Sequence, residues 1–319
     1  MLKKNMTRPY VAAVFFTLLT GFSFLGIKEC QNYANQLSIL IYRYDFAFIA
    51  AAAIWVFGMF KSNIKRKNTH GADWKMLGVA AGAYIAFMIL QVAGIFYTTS
   101  VVGSIIFSIT PIIAQIIASL VLDERSTAKQ NLFVVTTVAA LIYMLLAGAD
   151  DMEFSYVGIG CLLLSSIAMA VSNISMRYIR KDFTPFDISA LICTVGFVMF
   201  NVAGLIYAVY KDNFEVFTAP VKESGFVIAA AYLGIGCILF TSQLISYMLS
   251  KMPAINATIF GNVATAISII AGVFILNEGF HIYHFICAVL IIVGVIGVSV
   301  CGDNGSSRKA SGNKTQKHR

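Results

Sequence analysis

The sequence predicts an all-α membrane protein in which ten transmembrane helices form an inverted 5+5 repeat. Three observations favour this fold class: the composition, the placement of positive charge and a helix ending that occurs twice. Of the 319 residues, 59% are hydrophobic and only 12% are charged, whereas a soluble domain carries about 25% charged residues. Most of the apolar runs also lack the polar stripe that every helix of a soluble bundle needs.

Apolar runs of about 20 residues recur along the chain, and each is long enough to cross a hydrocarbon core of about 30 Å. They predict ten spans over residues 9–27, 37–60, 76–96, 101–122, 130–148, 156–178, 187–210, 226–248, 255–276 and 282–301. The first run imitates a signal peptide, but it exceeds the usual apolar region of about 7–15 residues and no small-x-small cleavage site follows promptly. We therefore expect a retained first helix.

Positive charge alternates between the two sides of the predicted spans. With Arg43 inside a span, 19 of the 23 Lys and Arg residues fall on the side of the N-terminus and three on the other side. Cytoplasmic loops carry such an excess of Lys and Arg. The pattern predicts a multi-pass protein of the cell (inner or plasma) membrane with both termini in the cytoplasm. It also explains the net charge of +8 without a nucleic-acid partner.

The helix ending "LVLDER" (120–125) has a counterpart in "FILNEG" (274–279), and the two glutamates, Glu124 and Glu278, lie 154 residues apart. Residues 98–124 align on 252–278 without a gap, which indicates an internal duplication. Five spans separate the two copies, so the second copy must cross the membrane in the opposite sense. Inverted repeats of this kind are typical of secondary transporters, whose substrate site lies near the midplane between the halves.

The repeat divides the chain into a first five-helix half over 1–148, a second, inverted half over 149–301 and a tail over 302–319. The tail is basic and lacks apolar periodicity, so we expect it to be disordered and cytoplasmic. A carboxylate at a helix C-terminus opposes the helix dipole. We therefore expect Glu124 and Glu278 to be structural fasteners, each with a compensating partner such as a backbone N–H or a loop cation.

Several motifs, taken in order, resemble the EamA family of the drug/metabolite transporter superfamily. They are the two glutamate endings, a proline in the fourth span (Pro111), "GFSFLGIK" (21–28) and "LIYRYDFAF" (40–48), where the family commonly carries an Arg. The resemblance covers residues 9–301 and implies two EamA-like five-helix repeats. It also implies transport of small metabolites, often amino acids or related compounds. One departure is Thr265, which stands where the family often repeats the proline.

Two ionisable residues fall inside the second predicted span. Arg43 either lies within the bundle, where it binds an anionic group or pairs with a carboxylate, or extends to the outer interface. Asp45 does not face Arg43 on a helix, because residues at i and i+2 do not share a face. It is a candidate for proton or cation coupling, and the alternative is a hydrogen-bonded structural carboxylate.

Polar and aromatic residues at helical spacing are the other candidates for the substrate pathway. Tyr84, Phe87 and Gln91 share one face of the third span, as expected either for a site that holds an organic solute or for ordinary helix packing. The repeat places matched polar residues on the fourth and ninth spans. On the sixth span, Ser166 and Asn173 share one helix face. The further pathway candidates are Ser108, Gln115, Asn173 and Asn262.

Motifs for enzyme, metal or cofactor chemistry are missing from the sequence. It contains no HExxH, GxSxG or nucleotide-binding loop, and the six cysteines follow no metal or disulfide spacing. Glu278, His281 and His284 would spread around a helix rather than converge on a metal. We therefore expect no enzyme and no cofactor or metal. The expected activity is secondary transport, with export preferred, of small organic metabolites by alternating access.

Other functions stay open at this point. They are efflux of drugs or toxic compounds, solute uptake, and an intramembrane enzyme or receptor-like protein; a receptor would not explain an inverted duplication. The expected partners are a small metabolite and the lipid bilayer, with possible proton coupling. The sequence is compatible with a monomer or a homodimer.

Overall fold

The computed structural model describes residues 7–58, 73–121, 128–147, 155–179, 182–251, 254–279, 281–294 and 296–297. Within these ranges the chain is all-helical and has no β-strand, as the sequence predicts. The first half of the chain contains α1 (Thr7–Gly21), α2 (Ser23–Gln31), α3 (Gln36–Val56), α4 (Trp74–Phe96), α5 (Ser100–Phe107), α6 (Thr110–Val121) and α7 (Ala128–Ala147). The second half contains α8 (Tyr156–Ile179), α9 (Pro185–Lys211), α10 (Glu215–Thr218), α11 (Ser224–Ala231), a π-helical segment (Tyr232–Phe240), α12 (Thr241–Lys251), α13 (Ala254–Ile275) and α14 (Ile282–Gly294).

Each of the ten predicted spans coincides with helix in the described residues. Six helical stretches are long and apolar enough to cross a membrane: Tyr10–Gln31, Gln36–Val56, Trp74–Phe96, Tyr156–Met176, Pro185–Lys211 and Ser224–Ile245. The shorter apolar helices are Ser100–Ala114, Asn131–Ala140, Val263–Ile275 and Ile282–Gly294. The chain is thus a multi-pass membrane protein. The arrangement of ten helices as an inverted repeat stays a prediction.

Side-chain caps fix where several of these helices begin. Asn35 accepts a hydrogen bond from the Ser38 backbone N–H at the start of α3, and Thr99 accepts one from Val102 at the start of α5. Thr184 and Asp187 form a reciprocal capping box at the start of α9. Each cap satisfies a backbone donor that has no partner within the helix, and such a cap is worth about 1 kcal/mol.

Small residues allow α4 and α8 to pack closely, as they do in many membrane bundles. A Cβ added at Gly94 would lie 2.6 Å from the Leu162 Cγ, and one added at Gly158 would lie 2.6 Å from the Thr98 Cγ2. Ser172 on α8 also donates a hydrogen bond to the Ala80 carbonyl on α4 at 2.9 Å. These contacts connect a helix of the first half to a helix of the second half.

Three of the predicted spans are interrupted rather than continuous. The first breaks at Phe22, between α1 and α2, and the eighth contains the π-helical segment. The fourth breaks between α5 and α6, because Pro111 has no N–H to donate to the Phe107 carbonyl; the Thr110 hydroxyl bonds that carbonyl instead, at 2.6 Å. The corresponding helix α13, which has Thr265 in place of the proline, is unbroken.

Candidate functional site

Arg43 lies in the interior of the bundle and not at an aqueous surface. It follows Gln36, the first residue of α3, by seven positions, or about 10.5 Å along the helix axis. Its side chain is only 1% exposed, and its Nε and Nη1 atoms have no hydrogen-bond partner. A buried guanidinium with unpartnered N–H groups is costly, which makes Arg43 a candidate binding residue.

The groups around the Arg43 guanidinium come from three other helical segments. It lies within electrostatic range of Cys30 on α2, of Tyr84 on α4 and of Tyr232 and Cys237 on the π-helical segment. None of these four side chains is a carboxylate. Among the described residues, no Asp or Glu forms an ion pair with Arg43, so its charge is not compensated within the described part of the protein.

The π-helical segment closes the site by direct contact with α1 and α3. The Tyr232 hydroxyl and the Cys237 thiol both donate to the Leu19 carbonyl, at 2.6 and 3.1 Å, just before the break between α1 and α2. At Gly234 an added Cβ would overlap the Arg43 carbonyl oxygen. Glycine is therefore needed at this position for the π-helical segment to pack against the backbone of α3. Single π turns occur often at functional sites.

Aromatic rings form a continuous wall beside the guanidinium. Tyr84 contacts Phe87 edge-on with ring centroids 5.5 Å apart, and Phe87 stacks on Phe107 at the same distance. Phe107 in turn contacts Phe24, with centroids 5.9 Å apart. Tyr84 and Phe87 are both buried. The wall joins α4 to α5 and α2 and offers π faces and edges to an organic group.

Gln91 places an amide at nearly the same depth as Arg43. It precedes the end of α4 at Phe96 by five residues, or about 7.5 Å. The Gln31 amide donates to the Phe96 carbonyl at 3.3 Å, so this end of α4 lies beside the start of α3. Gln91 is 3% exposed and its Oε1 atom has no partner. A free donor set on α3 and a free acceptor on α4 thus occur in the same layer of the bundle.

The remaining predicted pathway residues lie on the fourth, sixth and ninth spans. Ser108 is buried at the break after α5, where its hydroxyl donates to the Ile105 carbonyl at 2.7 Å. Asn173 is exposed on α8. Gln115 and Asn262 lie in α6 and α13, and their side chains fall outside the described part of the structure. Of the predicted set, Arg43, Tyr84, Phe87, Gln91 and Ser108 are buried.

Asp45 faces α9 rather than Arg43. Its Oδ1 atom accepts a 2.6 Å hydrogen bond from the Asn201 amide, which also donates to the Phe197 carbonyl at 3.0 Å. Beside this pair, Phe48 stacks on Phe197 with centroids 4.4 Å apart. Asp45 therefore lies in the α3–α9 contact as a hydrogen-bonded carboxylate.

Glu278 has the backbone partner that the sequence predicted for it. Its carboxylate accepts hydrogen bonds from the Ser100 N–H, the Ser100 hydroxyl and the Val101 N–H, at 2.8, 2.8 and 2.9 Å. Next to it, the Ser104 hydroxyl donates to the Ser268 hydroxyl at 2.6 Å. We call these contacts the Glu278 clamp, because they tie the start of α5 to α13 and the residues after it. Glu124 lies outside the described residues.

Sequence reasoning missed several residues of this region. Asn201 and Tyr232 appear in the sequence as single polar residues of apolar runs, and Tyr44 lies between the two charged residues Arg43 and Asp45. Only tertiary contacts distinguish these three residues. The pair Gly234 and Gly236 is the one local signal that could have indicated a close helix contact in the eighth span. In the described ranges, no cluster of three or more His, Cys, Asp or Glu side chains could hold a metal ion.

Comparison with known proteins finds curated relatives of this chain and a solved structure with a similar fold. Uncharacterized transporter YcxC of Bacillus subtilis (strain 168) is 33% identical over 301 residues, which cover 94% of this chain and 95% of that protein. Uncharacterized transporter YyaM of the same organism is 24% identical over 301 residues, covering 91% and 93%. A solved structure, described only as the crystal structure of a protein, aligns with a TM-score of 0.64 and 12% identity over 93% of this chain and 98% of that one. That last likeness shows the fold alone.

The family follows from a match that extends over nearly the whole chain. Residues 7–146 and 156–300 match the EamA-like transporter family, which confirms the resemblance carried by the sequence motifs. The relatives of this family are named as transporters, not as enzymes. The protein is therefore a membrane transporter that belongs to the EamA-like transporter family.

Proposed function

We propose that the protein is a secondary transporter of small organic metabolites, such as amino acids or related compounds, that works by alternating access. One observation carries the proposal: a buried Arg43 has N–H groups without a partner, and its helix packs against the π-helical interruption of the eighth span, which bonds the first span just before its own break. Transporter substrate sites are typically built from such discontinuous helices near the midplane. Export is the direction that we prefer, on family likeness alone.

The unpartnered polar atoms of this region support a role in binding a solute. An unsatisfied buried polar group costs about 1–3 kcal/mol, and a charged group costs more. The structure leaves such groups on Arg43 and Gln91, next to a wall of aromatic rings. A solute with polar groups and an apolar body would satisfy the first and cover the second. This combination is typical of sites for small organic molecules.

Two features support the inverted repeat within this proposal. The two family matches, 7–146 and 156–300, fall on the two halves predicted from the sequence, 1–148 and 149–301. The Glu278 clamp joins α5 of the first half to α13 of the second. In the proposed orientation both termini are cytoplasmic and the clamp lies at the outer face of the cell membrane. Two such halves can rock about their interface and offer one site to each side in turn.

Asp45 is the proposed coupling residue. It is the one acid near the middle of a described span, and its single described partner is the Asn201 amide. Uptake of a proton would remove the charge that Asn201 now stabilises and would weaken the α3–α9 contact. Such a change would link proton binding to helix movement. Transport by the Asp45→Asn variant should then lose its dependence on pH, and an unchanged pH profile would refute the coupling role.

Reconstitution of the purified protein into liposomes tests the proposed function. Candidate solutes come from a metabolite screen that compares cells with and without the protein. The expected result is that a screened solute crosses the liposome membrane without chemical change and only when the protein is present. Chemical conversion of the solute would favour the enzyme alternative. A lack of movement for every screened solute would contradict a transporter of small metabolites.

A further inference from the structure

We infer that Arg43 is the anion-binding residue of the transport site and that the solutes it selects carry a carboxylate group. The inference rests on the proposed transport function and deepens it by naming the chemical class of the substrate. Arg43 is charged and buried, lies near other polar atoms without a partner, and has no counter-ion among the described residues.

The charge of Arg43 needs a partner that the described protein does not supply. A guanidinium remains charged in proteins, and a buried charge is stable only when it is paired and hydrogen-bonded. Asp45 is the acid closest to it in sequence, but that carboxylate bonds Asn201 on α9. Glu278 is bound to the start of α5. The missing partner is therefore expected to be an anionic group that arrives with the solute.

The shape of the free donors suits a carboxylate. The Nε and Nη1 atoms of Arg43 have no partner. A planar guanidinium gives two parallel N–H bonds to the oxygens of one carboxylate when Nη2 acts together with either of these nitrogens. The hydroxyl of the next residue, Tyr44, is also buried without a partner. It interacts electrostatically with both Arg43 and Tyr84. The Tyr44 hydroxyl is thus a further unpartnered donor on α3, beside Arg43 in sequence.

Gln91 adds a second requirement, which is a hydrogen-bond donor on the solute. Its free Oε1 atom is an acceptor, so it favours a solute that carries an N–H or O–H donor in addition to its carboxylate. Tyr84 and Phe87 contact each other on the same face of α4 as Gln91, and they favour an apolar body. Amino acids and hydroxy acids with apolar side chains meet all three conditions, whereas amines and amides do not neutralise Arg43.

Pairs of carboxylates and their amides test the inference directly. The full-length protein is reconstituted in vesicles of zwitterionic phosphatidylcholine, so that no anionic headgroup competes for Arg43. The probes are a panel of apolar L-amino acids and hydroxy acids together with the amide of each, and the readout is the shift in melting temperature with probe concentration. At least one carboxylate should bind at least about 10-fold more tightly than its amide, because only the acid forms charge-assisted bonds.

Variants of Arg43 separate the role of charge from that of folding. Arg43→Gln should bind the acid and its amide equally, whereas Arg43→Lys should still prefer the acid but with weaker affinity, because the planar fork is lost. Thr137→Val is the matched control, since Thr137 is a buried polar residue whose hydroxyl bonds the Phe133 carbonyl within α7; it should bind as the wild type does. If Arg43→Gln does not fold, the acid–amide comparison in the wild type and in Arg43→Lys decides the question.

Three results would overturn the inference. They are equal binding of acids and amides by the wild type, an unchanged preference in Arg43→Gln, and a panel in which no carboxylate binds. Transport of a neutral or cationic solute by wild type and Arg43→Gln alike would refute this inference but keep the proposed transport function. Selective carboxylate binding without any solute movement would refute transport and keep the Arg43 site.

Discussion

The Glu278 clamp should contribute measurably to the stability of the protein, and Glu278→Gln is the change that tests it. The carboxylate accepts three hydrogen bonds from Ser100 and Val101 at the first turn of α5. A glutamine keeps one acceptor oxygen but replaces the other with an NH2 group that faces the Val101 N–H. The variant therefore preserves size while it removes the negative charge and at least one bond.

The size of the effect follows from these contacts. A hydrogen bond to a charged group contributes about 1.5–3 kcal/mol, and a negative charge at a helix N-terminus contributes about 0.3–1 kcal/mol. Glu278 is partly exposed, so water replaces part of what is lost and lowers both contributions. We expect the free energy of unfolding to fall by about 1–3 kcal/mol. Glu278→Ala should destabilise more, because it leaves all three donors without the carboxylate.

Denaturant titration and thermal unfolding of the purified protein in detergent measure this effect. The matched control is Glu223→Gln, an exposed glutamate at the start of α11 that makes no side-chain capping bond. That change should alter the free energy of unfolding by no more than about 0.5 kcal/mol. If Glu278→Gln and Glu223→Gln unfold at the same denaturant concentration and temperature, the clamp does not stabilise the fold and the reasoning is wrong.

Three further predictions concern other contacts of the bundle. Gly234→Ala should lower the yield and melting temperature of the folded protein, because its Cβ would overlap the Arg43 carbonyl, whereas Gly78→Ala, where the added Cβ meets nothing within 4 Å, should be neutral or stabilising. A double-mutant cycle of Ser104→Ala and Ser268→Ala should give a coupling free energy of about 0.5–1.5 kcal/mol for their hydrogen bond, and a value near zero would contradict it. Asp45→Asn should transport a screened solute at a rate that no longer changes with pH, measured in liposomes, while Asp73→Asn, a cap of α4 at the membrane edge, should keep the wild-type pH profile.

Composition and apolar runs were enough to predict where the helices lie. The predicted spans 76–96 and 187–210 differ from α4 (Trp74–Phe96) and α9 (Pro185–Lys211) by no more than two residues at either end. The thickness of the membrane sets the length of each apolar run, so a span can be identified from its own segment of sequence. The break before Pro111 also has a local cause, because the missing N–H of a proline acts on its own helix.

The interruptions of the first and eighth spans could not be predicted in this way. The apolar pattern continues through Phe22 and through Tyr232–Phe240 without a proline, so side-chain composition gives no sign of the change in backbone hydrogen bonding. The change is stabilised from a distance: the Tyr232 hydroxyl bonds the Leu19 carbonyl, 213 positions earlier in the chain. Contacts of this separation depend on the packing of the two halves and not on either helix alone.

The same limit applied to the two ionisable residues of the second span. A depth of about 10 Å along a helix fits a buried Arg43 as well as one that reaches the interface, and the neighbours that cover it come from α2, α4 and the π-helical segment. The partner of Asp45 is Asn201, 156 residues away. The sequence could identify these residues as costly to bury, but only the fold shows which faces receive them.

The polar atoms without a hydrogen-bond partner around Arg43 indicate that the two halves of the chain have different roles at the proposed site. The unpartnered atoms assigned to the proposed site, on Arg43, Tyr44 and Gln91, belong to α3 and α4 of the first half, whereas Tyr232 and Cys237 of the second half donate to the Leu19 carbonyl. A solute should therefore bind mainly to the first half, and the π-helical segment should act as its cover. Movement of that segment would have to break the two bonds to Leu19, so Tyr232→Phe should open the site more readily. Faster exchange of a bound solute in Tyr232→Phe, at little change in its affinity, is the result that this argument requires.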